Sequence, residues 1–133
     1  MFDDQVKMLA FRSGLKIKEL NGSRAKLGFE FDHSGKRTVQ NIFITPFKNG
    51  RYWEFDCLSG LTEHMMSETV CKFLLSENSK HFRGFWSLEK IEGDLVLVYM
   101  HNIASELLTP DEFSEICWDV TRRVDELERQ LFS

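Results

Sequence analysis

Residues able to do chemistry are scattered through this 133-residue chain. Four histidines, His33, His64, His81 and His101, are the candidates for metal ligation or proton transfer. No two of them lie four apart on one helix, and none joins a cysteine at ligand spacing. Solvated or capping roles are expected for all four. Cys57 and His64 lie near each other in sequence, as a thiol nucleophile and its base could. Yet Cys57 alternates with Trp53 and Phe55, which points it into a core, where a thiol is inert. Glu54 with Asp56, and Glu89 and Glu92 with Asp94, could supply paired carboxylates. Strand alternation places Glu54 and Asp56 on one face, expected to be wet, and Glu92 and Asp94 belong to a turn. Lys80-His81-Phe82-Arg83, followed by Phe85 and Trp86, mixes base and aromatic as single-strand nucleic-acid binders do. It is one short patch on an acidic chain. These residues support no catalytic group, no metal site and no cofactor site.

The bulk properties narrow the class. A formal net charge of −4 argues against non-specific nucleic-acid binding, which needs a basic footprint. Apolar residues make up 42% and charged residues 29%, the balance of a globular chain with a real core. Twelve Phe and three Trp make that core aromatic-rich. One domain over 1–133 is expected. No apolar run is long enough to span a bilayer. The start, MFDDQVKML, lacks the design of a secretory signal. Cys57, Cys71 and Cys117 are widely spaced, which suits buried thiols in a reducing compartment. A cytoplasmic location follows as the expectation.

The elements that must position these residues come next. Asp3 to Ser13 keeps helical spacing through Val6, Leu9 and Ala10, and Gly14 can end it in a left-handed cap. Leu15 to Leu20 is a poor strand, and Asn21-Gly22 is the favoured pair for a primed hairpin turn. Leu27, Phe29 and Phe31 alternate with polar residues, giving one buried and one wet face. Ile42-Phe43-Ile44 is apolar on both sides, the pattern of a strand in mid-sheet. Turns fall at His33 to Lys36 and Lys48 to Gly50. Thr62 is placed to cap a second helix running to about Glu77, with Met65, Met66, Val70, Phe73 and Leu74 on one face. A last hairpin turns at Glu92-Gly93-Asp94. Thr109-Pro110-Asp111-Glu112 then combines an N-cap, a first-turn proline and a capping-box glutamate. Behind it Phe113, Ile116, Cys117, Val120, Val124, Leu127 and Leu131 form one apolar stripe, and Asp125 with Arg129 pairs on the wet side. The spacing predicts an α+β fold: three helices and an antiparallel sheet of five to six strands, in the order α-βββ(β)-α-ββ-α.

That order, the segment GDLVLVYMHNIASELLTPDEF and the helix after it resemble the YbjN-like family, which shares the fold of the type III secretion chaperones. The matching parts are Gly93-Asp94, Leu95 to Met100, and Leu108-Thr109-Pro110-Asp111-Glu112-Phe113. The resemblance implies a non-enzymatic domain, often a homodimer, that holds another protein in apolar grooves. It implies no shared chemistry. This chain is only mildly acidic, unlike a typical secretion chaperone.

Under that implication the second helix becomes the main candidate. Methionine suits adaptable protein-binding surfaces. Met65, Met66, Val70 and Phe73 are expected in a partner or dimer interface, with Tyr52, Phe85 and Trp86 beside them. The alternatives are an orphan scaffold protein, and a small enzyme whose pocket the sequence does not reveal.

Overall fold

A computed structural model describes residues 1–132. Three helices and six strands follow in the order α1 (Phe2–Ser13), β1 (Ile17–Asn21), β2 (Arg24–His33), β3 (Lys36–Phe47), β4 (Tyr52–Thr62), α2 (Glu68–Asn78), β5 (Phe85–Ile91), β6 (Asp94–Ala104) and α3 (Pro110–Phe132). The strands form one sheet, ordered β1-β2-β3-β4-β6-β5, with every neighbouring pair antiparallel. The expected α+β architecture is therefore present, with four strands before α2.

One parity of each strand faces α1 and α3. Ala25, Leu27 and Phe29 pair across β2 and β3 with Ile44, Ile42 and Gln40. Ile42 and Ile44 then meet Cys57 and Phe55 on β4. Phe113, Ile116, Val120 and Val124 of α3 close over this face and are fully buried. Each such side chain stabilises the fold by about 2 kcal/mol. Val6, Leu9 and Ala10 bury α1 in the same core. Gly14 takes the left-handed conformation at φ 71°, and the Leu15 N–H donates back to the Ala10 carbonyl at 2.9 Å, so α1 ends as its glycine predicts. Thr109 caps α3 as expected: its hydroxyl accepts from the Glu112 N–H at 3.1 Å. No described helix is long and apolar enough to cross a membrane.

Four local expectations are corrected. The first hairpin loop is Gly22-Ser23, because Asn21 is still in the strand, opposite Arg24. Gly22 does not enter the left-handed region; instead the Asn21 side-chain oxygen accepts from the Ser23 N–H at 2.9 Å. An Asx turn therefore replaces the primed turn. Primed geometry occurs at Ser34-Gly35 and Glu92-Gly93, where both residues have positive φ.

Thr62 does not cap α2. It remains in β4, opposite Val96, because the Ser59 hydroxyl bonds the Leu97 carbonyl at 2.7 Å and holds this end of the strand on β6. A 3-10 turn over Glu63–Met65 follows, and Ser67 becomes the cap, accepting from the Val70 N–H. Leu131 is exposed, so the buried stripe of α3 ends at Leu127. Asp125 is not on the wet side. It is buried at 1% exposure, next to Thr121 on the inner surface of α3.

Candidate functional site

Helix α2 buries little. Leu74 is its one buried residue, while Val70 and the preceding Met66 pack half-buried against the core. Met65 and Phe73 are 51% and 45% exposed. Leu75, Phe82 and Leu88, on α2, the following loop and β5, are exposed as well. A helix this sparsely buried draws little stability from tertiary packing, which normally supplies most of it.

What holds α2 is polar. The Asn78 side chain accepts from the Trp86 N–H at 2.6 Å and donates to the Trp86 carbonyl at 3.1 Å. Trp86 thereby has both backbone groups on the free edge of β5 satisfied by the end of α2. Its ring is buried edge-on against Tyr99, 4.8 Å between centroids. Trp86 is thus core, while its expected companion Phe85 points to the opposite sheet face and is exposed. Tyr52 also lies on that opposite face, stacked on Phe47 at the far end of β4. The seven expected interface residues therefore fall into three places: Met65, Met66, Val70 and Phe73 around α2, Phe85 and Tyr52 on the outer sheet face, and Trp86 inside.

The loop between α2 and β5 carries the basic-aromatic patch. Arg83 is not free to meet a nucleic acid. Its guanidinium bonds Asp119 at 2.6 Å and Glu112 at 2.7 Å, both on α3. Burial opposes its charge, but the two carboxylates outweigh that and raise its pKa. The Arg83 carbonyl accepts from the Tyr99 hydroxyl at 2.8 Å. Gly84 follows at φ +85°, and a Cβ there would collide with the Tyr99 ring.

The histidines and cysteines resolve differently. His33 is not simply solvated: its Nε2 lies 2.8 Å from the Asp125 carboxylate. That carboxylate also accepts from Thr38 at 2.6 Å, Gln40 at 3.3 Å and Arg129 at 3.2 Å. Burial would raise its pKa, but these bonds together hold it below the usual carboxylate range. The cluster opens onto a cavity of about 730 Å3 between α3 and the β2–β3 hairpin, lined also by Lys36, Glu128 and Phe132. It contains a His–Asp pair, yet the Thr38 hydroxyl donates to Asp125 and not to the imidazole. The pattern ties a hairpin to a helix and does not activate a nucleophile. Cys57 and Cys117 are buried, which pushes both thiols up, away from the reactive thiolate. Among the described residues no group of three His, Cys, Asp or Glu is placed to hold a metal ion.

Glu54 and Asp56 share the outer face, as alternation requires, but Asp56 is not fully solvated. Burial, then the neighbouring Glu54, raises its pKa to about 7. Sequence reasoning missed Asn78, assigned Arg83 to a basic patch, and paired Asp125 with Arg129 but on the wet side of α3. Only Asp125 had a signal, since Cys117, Thr121 and Asp125 step by four along the buried side of α3.

No family model and no curated protein sequence matches the chain. Solved structures do. A chain of the ExsC–ExsE complex superposes with a TM-score of 0.63 at 16% identity, over 96% of this chain and 93% of that one. YbjN from E. coli gives 0.62 at 12% identity, covering 91% and 84%. A chain of the HopA1–SchA chaperone–effector complex gives 0.61 at 6% identity, covering 94% and 93%. The fold is YbjN-like and secretion-chaperone-like. Such identities establish the fold and leave the site to be argued from this chain's own residues.

Proposed function

We propose that this protein is a non-enzymatic, chaperone-like module that holds a partner protein on apolar and aromatic surface, and that it works as a homodimer in the cytoplasm. The observation that carries this reading is α2: a capped helix with one buried residue, flanked by exposed Met65 and Phe73. Large apolar side chains left exposed on so lightly packed a helix suit an interaction surface. The shared fold adds support, since two of the similar structures are complexes, one of them named as chaperone with effector. Met65 and Phe73 would be the anchors, Met66 and Val70 the packed base, and Phe85 and Tyr52 further contacts on the sheet. Exposed Glu68 and Lys72 would form a charged rim.

The test is recovery of a partner from the host, followed by Met65→Glu and Phe73→Glu. Both side chains are exposed, so the variants should fold. Loss of the partner in folded variants supports the reading, and undiminished binding in both rejects α2 as the site. The His33–Asp125 cavity is the observation an enzymatic reading would need. It would be favoured by turnover lost in His33→Gln.

A further inference from the structure

The sheet face turned away from α1 and α3 carries its charges in an arrangement that complements itself. One rung across the sheet runs Lys26, Phe43, Asp56, Met100, Phe85, each opposite the next. Beside Phe43 the β2 charges are basic, with the acidic Glu30 and Asp32 of the same face further along the strand. Arg24 lies over the Phe43 ring at 4.4 Å, and Lys26 is 5.8 Å from the same ring. Lys18 reaches across Gly28 to bond Asn41 at 2.9 Å. Glu19 offsets part of this, pairing with Lys26 at 3.0 Å. On the β4 side the charges are acidic: Glu54, Asp56 and, on β5, Glu89. Among the described residues none of these three carboxylates has a cation within ion-pair distance; Glu89 accepts only from the Ser87 hydroxyl. Between the two bands lies apolar surface, with Phe43 half-buried and Phe85 exposed.

We propose that this face docks on the same face of a second copy about a two-fold axis running along β3, so that Phe43 meets the partner's Phe43 while Arg24 and Lys26 meet the partner's Glu54 and Asp56. This rests on the reading of the protein as a homodimer and assigns the surface and orientation. The orientation follows from symmetry. A two-fold along the strands exchanges left and right, bringing the basic band of one copy over the acidic band of the other. A two-fold across the strands would set like bands together, which is repulsive. Each strand step is about 4.8 Å and face-packed sheets lie about 10 Å apart, so long side chains on flanking strands reach one another. The natural twist of the sheets sets the two copies at about 30°. Glu54 and Asp56, left without cations in one chain, thereby meet cations of the second, and Phe43 leaves water.

Sedimentation of the full chain across a concentration series tests this. A reversible dimer that weakens with salt is expected. Arg24→Glu with Lys26→Glu reverses the basic band beside Phe43, and Glu54→Lys with Asp56→Lys reverses the acidic band of β4. Each pair should weaken self-association by tenfold or more, and an equimolar mixture of the two should restore a dimer. Glu54→Lys alone serves if the half-buried Asp56 does not tolerate lysine. Charge variants that dimerise as tightly as the parent overturn the proposal. A dimer insensitive to these charges but lost in Phe73→Glu overturns this face and leaves the homodimer standing. A chain that stays monomeric at every concentration overturns both, without touching capture of a different protein on α2.

Discussion

The Asn78 amide satisfies both outward backbone groups of Trp86, taking its N–H at 2.6 Å and giving to its carbonyl at 3.1 Å. A side chain thus occupies one rung of the free edge of β5. Edge strands left open recruit other strands, and proteins blunt them in several ways. Here the end of a helix does so, and the same contact is the main tether of α2.

Asn78→Ala should therefore have two effects. Loss of both bonds should cost about 1–2 kcal/mol. The opened rung should also promote strand-on-strand association. Chemical denaturation measures the first, and light scattering at raised concentration measures the second. A variant with unchanged midpoint and scattering would show that the contact neither tethers nor protects.

Arg83 should act on the loop and not on the whole fold. Its guanidinium joins the loop after α2 to Glu112 and Asp119 of α3. Arg83→Gln removes the charge from both contacts, at an expected cost of about 1–2 kcal/mol, since the acidic partners are partly solvated. Hydrogen exchange should rise over residues 79–84 while β3 and β4 stay protected. A uniform rise would mean that the loop is an integral part of the global unfolding unit.

Asp125 should govern acid stability. Its pKa in the fold lies below the ordinary 3.8. The native state therefore holds its proton less tightly than the unfolded chain. Its contribution is fully present above that ordinary value and is lost as pH falls through the lowered one. Asp125→Asn leaves four converging donors with one fewer acceptor, at an expected cost of roughly 3 kcal/mol at neutral pH. The difference from the parent should shrink as the medium becomes strongly acidic. Equal stability of parent and variant at pH 7 would contradict the network's role.

Asp56 has the opposite sign. Its pKa in the fold is raised from 3.8 to about 7, first by burial and then by Glu54. The folded chain keeps a proton that the unfolded chain gives up, so stability should fall as pH rises from about 4 to about 7 and then level off. At concentrations where the chain is monomeric, Asp56→Asn should raise the melting temperature at pH 8 and flatten that slope, read by thermal denaturation from pH 4 to 8. A parent with no slope in this window, or a variant less stable at pH 8, would refute it.

The elements that local rules describe were legible in the sequence. The Thr109–Glu112 cap, the left-handed stop at Gly14 and the two-sided apolar run in β3 depend on neighbours a few residues away. Spacing alone predicted them. The stripe of α3 was legible to Leu127, but its last apolar residue was not, because burial there depends on which distant elements pack against that side of the helix. The start of α2 was misread for a related reason: Ser59 and Thr62 are held to β6, across 38 residues in the case of Ser59 and Leu97.

The sequence by itself determined the class of fold: an amphipathic, well-capped C-terminal helix, alternating strands joined by tight turns, and an apolar excess sufficient for one core. Tertiary structure decided what each polar residue does. Asp125 reads as a surface ion-pair partner until Thr38, Gln40 and His33 arrive from strands some ninety positions away in the chain. Arg83 reads as part of a basic patch until α3 meets it. Glu54 and Asp56 read as solvated until the sheet sets them half-buried side by side on β4, with Phe43 opposite Asp56. Local propensity follows from adjacent residues, whereas partnership between charges is fixed by the packing of distant segments, and in this protein the second decides which surface is left to bind.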